Sequence, residues 1–573
     1  MTGNKNTQKI VIVGGVAGGA TAAARIRRLD EHADIVVFER SGFISYANCG
    51  LPYYIGGVIK NKEELTLQTP KSFYERFRIK MNVLHEVKAI DPSSKTVTVC
   101  DLATGKQWEE SYDKLLLSPG ARPVVPQIPG SDLGQVYSLR TVEDTYRIRQ
   151  AVTDEKPASA LISGGGFIGL ELAENLLEAG IKVTLIQRPD QVMKPLDREM
   201  ASFIHNRIRE AGIDLILGDS VVSLAENKEG LGKLRAELNS GRSIDTDMAI
   251  MAIGVAPETT LAKEAGLETG IKGSILVDDH MRTSNGDIYA VGDAVQVKQF
   301  TTGSDALISL AGPANRQGRI AADNICGLDS SYPGSQGSSV IKLFDMTIAS
   351  TGINEKTAVA EGLEYEKIYL SPLSHAGYYP GGKVMTVKLV FDPVSDKILG
   401  AQIVGHEGVD KRIDVIATAM YAGIPASKLK ELDLAYAPPY SSAKDPVNMA
   451  GFMVENIEKG LMKQFFYEDL ESLSKDEGVT LLDTRTPEEY KKGHVDGFIN
   501  IQVDELRERI GELDPSKPVY VMCQSGLRSY IACRILAQNG FECSNFSGGY
   551  RLYASVAFDR SASEEAFPCG MEK

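Results

Sequence analysis

Two isolated cysteines are the residues of this sequence best suited to redox chemistry with sulfur. Cys49 lies in the segment 41–54, directly before Gly50 and Pro52, where an apolar helix is expected to begin. The N-terminus of a helix favours the thiolate, which is the reactive form of cysteine in thiol–disulfide exchange. Because Cys49 stands alone, its redox partner must come from outside the chain, as a small thiol in a mixed disulfide or persulfide.

The second cysteine, Cys523, opens a predicted strand-to-helix loop that can carry sulfur. The loop continues with Gln524, Ser525, Gly526, Leu527, Arg528 and Ser529. Successive N–H groups and the helix dipole can converge on the sulfur and stabilise a thiolate or persulfide. The spacing from Cys523 to Arg528 is one residue shorter than in the C-x5-R loop of phosphatases, which suits sulfur better than phosphate. Taken alone, the motif leaves both open.

The other cysteines carry no such pattern. They are scattered without paired C-x-x-C spacing, which argues against a disulfide framework or a zinc site, and we expect no metal. They are Cys100, Cys326, Cys533, Cys543 and Cys569. We expect most of them to be buried bystanders and Cys569 to lie in a loose C-terminal segment.

Two glycine-rich turns predict the elements that position these thiols. The first follows an apolar run over 9–13 and precedes a strand over 35–39 that ends at Glu39, with Arg40 beside it as a further cofactor-binding candidate. Glycines permit a tight turn and close approach of a pyrophosphate, and the acidic residue can accept from ribose hydroxyls. The turn comprises Gly14, Gly15, Val16, Ala17, Gly18 and Gly19, with Val16 where the fingerprint has glycine.

The second turn predicts another dinucleotide fold, so one nucleotide would be bound permanently and another would visit. The turn and the start of its helix contain Gly164, Gly166, Phe167, Ile168 and Gly169. The following strand ends at Gln187 rather than at an acidic residue. Without a carboxylate to repel a 2′-phosphate, NADH and NADPH both remain open.

Three later stretches complete the organisation. Asp293 follows a strand and precedes a helix near 307–325, where it can bind flavin hydroxyls or serve as an ordinary helix N-cap. Residues 330–450 alternate short strand-like runs with a helix, which is typical of an α+β domain. Residues 465–558 alternate strands and helices as a separate α/β unit.

Composition excludes several classes of protein. The formal charge of −14 over 573 residues argues against nonspecific nucleic-acid binding. No run approaches the ~18 apolar residues of a membrane span, and the first residues lack an apolar signal core. We therefore expect a cytoplasmic protein without membrane insertion.

The motifs resemble those of a known family. The turn at 14–19, the segment 45–54, Ala290–Ala294 and the late segment 435–442 resemble the single-cysteine branch of pyridine nucleotide-disulfide oxidoreductases, and within it coenzyme A disulfide reductases. The segments 481–490, 493–500 and 523–529 resemble a rhodanese homology domain. Together they resemble the coenzyme A disulfide reductase–rhodanese fusions.

The resemblance implies an α/β protein with two Rossmann-like dinucleotide-binding domains, an α+β dimerisation domain and a C-terminal rhodanese domain. It implies FAD, NADH or NADPH, and coenzyme A as ligands, and a homodimer. The implied domains are FAD-binding at 1–150 and 246–326, NAD(P)H-binding at 151–245, dimerisation at 327–455, a linker at 456–468 and rhodanese at 469–560.

The resemblance also assigns roles to single residues. Cys49 would hold coenzyme A as a mixed disulfide, and Tyr378 and Tyr436 would reach it from the partner subunit. Asn48 and Lys444 would contact the cofactor. The coenzyme A contacts would be Thr21, Arg25, Arg28, Ser45 and Asn48, with Lys71, Arg76 and Arg78 as candidates to replace a family lysine near Phe77. Seen alone, Arg25 and Arg28 share a helix face that suits a phosphate but would more often be a solvated face.

These residues favour NAD(P)H-dependent reduction of coenzyme A persulfide, polysulfide or coenzyme A disulfide at Cys49, with sulfane sulfur transferred at Cys523. Two alternatives remain open. One is a peroxide or oxygen reductase that cycles Cys49 through sulfenic acid. The other is a sulfur relay or sensor protein in which Cys523 passes sulfur to a partner.

Overall fold

The computed structural model describes residues 7–228 and 232–565, so the prediction for Cys569 falls outside the described residues. The chain forms two compact units. The first comprises Met1–Asp190 and Ile213–Gly337, and the second comprises Gln191–Gly212 and Ser338–Lys573. Part of the predicted NAD(P)H-binding segment 151–245 thus belongs to the second unit.

The helices alternate with the strands along most of the chain. They are α1 Ala17–Leu29, α2 Leu51–Gly56, α3 Pro70–Phe77, α4 Val142–Gln150, α5 Phe167–Glu178, α6 Arg198–Glu210, α7 Thr260–Glu264, α8 Ala311–Ile325, α9 Glu355–Ala360, α10 Val409–Tyr421, α11 Pro446–Glu458, α12 Leu470–Leu473, α13 Pro487–Lys492, α14 Leu506–Arg509, α15 Leu527–Gln538 and α16 Gly549–Glu565.

The strands are short, as expected for a protein built from several small sheets. They are β1 Lys9–Val13, β2 Asp34–Glu39, β3 Ile44–Tyr46, β4 Thr66–Gln68, β5 Lys80–Val83, β6 His85–Asp91, β7 Thr96–Asp101, β8 Gln107–Ser111, β9 Lys114–Leu117, β10 Ala121–Pro123, β11 Val136–Tyr137, β12 Ser159–Ser163, β13 Lys182–Gln187, β14 Asp214–Leu217, β15 Val221–Glu226, β16 Leu234–Leu238, β17 Ser243–Thr246, β18 Met248–Met251, β19 Val255–Pro257, β20 Ile288–Ala290, β21 Val297–Lys298, β22 Asp305–Ala306, β23 Ser339–Leu343, β24 Met346–Gly352, β25 Glu366–Leu370, β26 Thr386–Phe391, β27 Ile398–Gly405, β28 Gln464–Phe465, β29 Thr480–Asp483, β30 Ile499–Asn500, β31 Val519–Met522 and β32 Cys543–Phe546.

Two parallel sheets form the frame of the first unit. One has the order β20-β9-β1-β2-β5 and the other β11-β18-β12-β13-β14. The central strands are fully buried apolar runs, as expected when helices cover both faces of a parallel sheet. The glycine turns follow the central strands β1 and β12, at the edge where such sheets bind ligands.

Two further sheets form the second unit. An antiparallel sheet has the order β23-β24-β27-β26-β25, and a parallel sheet has the order β28-β32-β31-β29-β30. The α/β class, with two Rossmann-like sheets, an α+β domain and a C-terminal α/β domain, is therefore confirmed.

The segment 456–468 is not the free linker that the sequence predicts. Its first residues end α11, and Gln464–Phe465 pairs in parallel with β32. Phe465 is 3% exposed because it packs on Phe546 in a hydrophobic cluster of the C-terminal domain. The alternating charges suggested a linker, but this packing places the second half of the segment in the domain that follows.

A buried ion cluster lies within the second unit, at Lys388 on β26. Its ammonium group is fully buried and contacts Asp197 at 2.7 Å, Glu199 at 2.5 Å, and Glu355. Three carboxylates so close together resemble a metal site, but the lysine supplies the positive charge that a cation would bring.

A second buried cluster joins the last helix to α6. The carboxylate of Asp559, on α16, is paired with Arg198, with Arg209 at 2.6 Å and with His205 Nδ1 at 2.9 Å. His205 Nε2 accepts from the N–H of Val192 at 3.0 Å. The Nδ1 proton therefore points to Asp559 in a neutral imidazole, in keeping with the lowered pKa that burial gives His205.

No helix of the described residues has the length and hydropathy needed to span a membrane.

Candidate active sites

The first glycine turn forms a cradle in which two glycines lie so close to neighbouring backbone that they have no room for a side chain. Gly14 has φ +99°, and a Cβ there would lie 2.1 Å from the Ser118 carbonyl oxygen. A Cβ on Gly19 would lie 1.9 Å from the carbonyl oxygen of Gly14. The helix α1 begins in this turn with no side-chain cap, so its first N–H groups face the position where a pyrophosphate would bind.

In each dinucleotide fold, the last residue of the strand after the glycine turn accepts a hydrogen bond from an N–H of that turn. Glu39 is buried and accepts from the N–H of Gly15 at 2.8 Å. Gln187 accepts from the N–H of Gly165 at 2.9 Å. The amide of Gln187 thus replaces the carboxylate in holding the turn but removes its negative charge, in line with a site open to either nicotinamide nucleotide.

The second cradle differs from the first in leaving room at one glycine. Gly164 has φ +116° and Gly169 approaches its carbonyl so closely that a Cβ would lie 1.9 Å away. Gly166 is exposed, and a Cβ there would meet nothing within 4 Å. Phe167 and Ile168 follow as the first, partly buried residues of α5.

Asp293 is held by an ion pair instead of capping a helix. It lies in the turn Gly292–Ala294 after β20, and its carboxylate is 2.7 Å from the guanidinium of Arg140. The next helix, α8, begins after Leu310, so the N-cap interpretation is excluded. The glycine cradle, Glu39 and this oriented carboxylate fit FAD, with Arg40 exposed beside the first cradle.

Cys49 is exposed beside this cradle. Asn48–Gly50 form a 3-10 turn that leads into the short helix α2, with Pro52 in its first turn. Although the predicted helix is present, the pKa of the Cys49 thiol is raised. The first cause is desolvation of its sulfur by surrounding protein atoms, even though the residue as a whole is exposed, and the second is the negative charge of Glu171. Arg140 acts in the opposite direction. In the chain alone these effects outweigh the helix N-terminus, and the prediction that the helix and a bound flavin together favour the thiolate stays a prediction.

Glu171 is a site residue that sequence reasoning missed. It lies on α5, and its Oε1 is 3.4 Å from the hydroxyl of Tyr53 on α2. Burial raises the pKa of Glu171 to about 7, assisted by Glu174 and opposed by the contact with Tyr53. Near neutral pH, this carboxyl group can therefore gain or lose a proton close to Cys49.

The predicted coenzyme A contacts differ in how available they are. Arg25 is paired with Asp323 at 2.6 Å, and Thr21 donates to Asn315 at 2.5 Å. Arg28 is exposed one turn later, so the two arginines do not offer equal charges to a phosphate. Ser45 has φ +44° in the strand before Cys49, a strained conformation that fixes the segment next to Gly15.

The basic residues near Phe77 are all at the surface. Lys71, Arg76 and Arg78 are exposed, and Lys71 is 3.9 Å from Glu75. Arg78 ends α3 with φ +53° and stacks over the ring of Tyr74. Phe77 itself packs against the core of the first unit.

In the second unit, the structure brings Tyr378 and Tyr436 together. Their hydroxyl oxygens are 2.6 Å apart, although the residues come from different loops, and both side chains are exposed. The hydrogen bond to Tyr378 raises the pKa of Tyr436. Lys444 is exposed a few residues further along. A paired set of phenols on a surface can donate to a leaving thiolate.

Cys523 lies in a closed cradle, as its loop predicts. It follows β31 and is 1% exposed. The N–H of Gly526 lies 3.1 Å and the Ser529 hydroxyl 3.2 Å from its sulfur. Gly526 has φ +99°, which allows the chain to turn back and start α15. Gln524 and Ser525 are half-buried, and Leu527 is exposed at the rim.

Two arginines around this cradle have different partners. Arg528 makes a bidentate pair with Glu489, with both distances 2.7 Å. Arg485 is buried, bonds Asp483 at 2.7 Å and stacks over the Tyr550 ring at 3.8 Å. Asp483 and Arg485 therefore contact the cradle indirectly, through Tyr550, whose N–H donates to the Cys523 carbonyl oxygen at 2.8 Å.

Family models match three consecutive parts of the chain. The model of the pyridine nucleotide-disulphide oxidoreductases matches residues 8–318, and that of their dimerisation domain matches 338–446. The model of the rhodanese-like domain matches 466–555.

Individual proteins match over most of the chain. Coenzyme A disulfide reductase of Staphylococcus aureus (strain bovine RF122 / ET3-1) is 37% identical over 445 residues, which covers 78% of this chain and 99% of that protein. The structure of reduced Bacillus anthracis CoADR-RHD has a TM-score of 0.94 and 47% identity, covering 97% of this chain and 99% of that chain. That of an NAD-dependent persulfide reductase from A. fulgidus has a TM-score of 0.89 and 36% identity, covering 95% and 100%.

Proposed function

Because the chain belongs to the pyridine nucleotide-disulphide oxidoreductase family, we propose that it uses NAD(P)H to reduce coenzyme A persulfide, polysulfide or coenzyme A disulfide at Cys49. The observation that carries the proposal is the exposed, unpaired thiol of Cys49 beside a glycine cradle that fits FAD. The similarity to a coenzyme A disulfide reductase and to a persulfide reductase supports this choice of substrates.

The residues around Cys49 have defined tasks in this reaction. The Cys49 thiolate attacks a sulfur of the substrate, the substrate S–S bond breaks, and a thiolate or hydrosulfide leaves as the mixed disulfide or persulfide forms on Cys49. Arg140 lowers the cost of the thiolate, and Glu171 can take up or release the proton that exchange requires. When bound, FAD supplies electron transfer from NAD(P)H to this sulfur. The second cradle, closed by Gln187, binds the nicotinamide nucleotide.

Substrate binding is proposed to use both the basic residues and the paired phenols. Arg28 is the exposed cation on α1 that can contact a phosphate of coenzyme A. Tyr378 and Tyr436 donate to the leaving thiolate from a partner subunit of a homodimer, a state that the match to a dimerisation domain supports. A cytoplasmic location belongs to the same proposal.

The C-terminal domain is proposed to load sulfane sulfur onto Cys523. Gly526 and Ser529 already donate to this sulfur, and the same donors would stabilise a persulfide. The outer sulfur would then pass to coenzyme A or to Cys49.

The experiment compares the variants Cys49→Ser and Cys523→Ser, with Cys326→Ser as a control remote from both motifs. NAD(P)H oxidation and sulfide release are measured with coenzyme A persulfide and, separately, with polysulfide or thiosulfate. Cys49→Ser should abolish both reactions. Cys523→Ser should remove use of polysulfide or thiosulfate while leaving persulfide reduction nearly intact.

Two results would contradict the proposal. Equal loss of both reactions in Cys523→Ser would reject the division of labour between the thiols. Sulfane consumption unchanged in Cys49→Ser would reject the reductase mechanism, and oxidation of NAD(P)H by oxygen or peroxide alone would favour the sulfenic acid alternative.

A further inference from the structure

Two thiols that these reactions do not use meet next to the Cys523 cradle. Cys533 lies on α15, one turn after Ser529, and Cys543 is the first residue of β32. The Cys543 thiol donates to the backbone carbonyl oxygen of Cys533 at 3.2 Å, so the two cysteine side chains are close neighbours. Packing of α15 on β32 therefore brings two nucleophiles from different elements into contact.

The environments of the two thiols are unequal. Cys533 is 4% exposed within the apolar core of the domain, and its pKa is raised by the hydrogen bond to Cys543 and by burial. Cys543 is only partly buried, and its pKa is lowered by the hydrogen bond from Cys533, with help from Arg534 and Lys463. A partly exposed sulfur thus lies beside a buried one, and the partly exposed Cys543 is the more easily ionised of the two.

We propose that Cys533 and Cys543 form a second redox site, a dithiol that polysulfide oxidises to an intramolecular disulfide. Packing of α15 on β32 holds the two residues side by side, so a disulfide requires the two sulfurs to approach to bonding distance within this contact. Cys543 differs from Cys523, which is 1% exposed and is held by its own donors. The site therefore meets the oxidant directly through the partly exposed Cys543.

The reaction needs no other oxidant. The Cys543 thiolate attacks a sulfane sulfur of polysulfide, an S–S bond of the polysulfide breaks, and the shortened chain leaves as an anion. Cys533 then attacks the Cys543 sulfur, the bond to the outer sulfur breaks, and hydrosulfide leaves with the proton of Cys533. The two thiols lose an electron pair, which the sulfane sulfur gains as it becomes hydrogen sulfide.

Closing this bond would affect the neighbouring site through a single helix. The N-terminus of α15 supplies the Ser529 donor to Cys523, and Cys533 lies further along the same helix. The disulfide would tie α15 to β32 and limit its movement when the Cys523 cradle opens. Excess polysulfide would thereby restrict the movement of α15 in the same domain that accepts sulfur at Cys523.

Peptide mapping of the full-length holoenzyme tests the proposal. The protein is treated with sodium tetrasulfide or with diamide, alkylated, and digested with trypsin without reduction. Trypsin cuts after Arg528 and Arg534, so Cys533 falls on peptide 529–534 and Cys543 on peptide 535–551. Cys523 falls on the preceding peptide, which separates the three thiols.

The joined peptides 529–534 and 535–551 should appear after either oxidant, lighter than the sum of the free peptides by two hydrogens. They should be lost on reduction with dithiothreitol and absent from Cys543→Ser. The matched variant Cys523→Ser should still form them, which separates this site from the proposed sulfur transfer at Cys523.

Other outcomes would overturn the proposal. Recovery of both peptides separately alkylated after both oxidants would show that the pair does not close. Recovery of Cys543 as a stable persulfide, with Cys533 alkylated, would show that the second attack does not occur. Closure by diamide but not by tetrasulfide would remove polysulfide as the oxidant.

Discussion

Replacement of Glu171 by glutamine should change both the pH dependence of folding and the reactivity of Cys49. The pKa of Glu171 is raised from 4.5 to about 7 by burial. Each tenfold change in an ionisation constant is worth about 1.4 kcal/mol, so the ionised form of Glu171 is about 3 kcal/mol less favourable in the folded protein than in water. Glutamine keeps the shape of the side chain and removes this cost.

The raised pKa of Glu171 determines how the free energy of unfolding changes with pH. A raised pKa in the folded protein contributes stability below pH 4.5, and this contribution is lost as the pH rises through about 7. Relative to Glu171→Gln, the wild-type protein should therefore lose up to about 3 kcal/mol of unfolding free energy between these values. Denaturant unfolding of the first unit, followed by flavin fluorescence at several pH values, measures the difference.

Cys49 provides an independent readout of the same charge. For an assumed separation of roughly 12 Å and an effective dielectric constant of about 20, a negative charge costs a thiolate about 1.4 kcal/mol. Above pH 7, Glu171→Gln should therefore react with iodoacetamide about tenfold faster at Cys49 than the wild type does. Below pH 6 the two proteins should react alike, because Glu171 is then largely protonated.

The variant Glu178→Gln is the matched control, since Glu178 is on the same helix and exposed. It removes one negative charge from α5 at a position remote from the Tyr53 contact. The reasoning would be refuted if both variants gave the same alkylation profile, or if Glu171→Gln followed the wild-type profile from pH 6 to pH 9.

Four further substitutions test other parts of the structure. Gly166→Ala has room for its methyl group, so this variant should fold normally but bind the nicotinamide nucleotide more weakly. Gly169→Ala should disrupt the second cradle, because its Cβ would lie 1.9 Å from a carbonyl oxygen. Nucleotide titration and circular dichroism distinguish the two outcomes. Ser529→Ala removes a donor to the Cys523 sulfur and should slow sulfur transfer about tenfold, the equivalent of about 1.4 kcal/mol, with persulfide reduction as the internal control; an unchanged rate would contradict the cradle's role. Asp559→Asn leaves the partly buried Arg198 and Arg209 without their carboxylate. It should destabilise the second unit by about 2–3 kcal/mol, less than the loss of a fully buried pair, in thermal or denaturant unfolding at neutral pH, and a change below about 1 kcal/mol would contradict this.

The sequence predicted the elements whose signal is local. Both glycine turns, their helices and the strands ending at Glu39 and Gln187 follow from short patterns, and so does the loop after Cys523. These patterns work because the backbone of a tight turn needs glycine, whatever the rest of the chain does. Their agreement with the structure is therefore independent of tertiary contacts.

The contacts that adjust the chemistry of Cys49 could not be predicted in this way. Arg140 meets Asp293 across 153 residues of sequence, and Tyr53 meets Glu171 across 118. No periodic pattern links such distant positions, and the pKa of a thiol depends on the sum of these charges and on burial. The one available signal was an acidic residue shortly after the second glycine turn, where a ligand-facing helix begins.

The ion cluster at Asp559 affects whether the reductase part of the chain can be produced without the rhodanese domain. A shortened protein that ends before the rhodanese domain would lack Asp559, and Arg198, Arg209 and His205 would lose their carboxylate partner on a newly exposed face of α6. Such a fragment would be prone to self-association and low yield for reasons unrelated to catalysis. In a fragment that contains the reductase alone, both arginines should first be replaced by glutamine to remove the unpaired charges. Only then can a loss of turnover be attributed to catalysis.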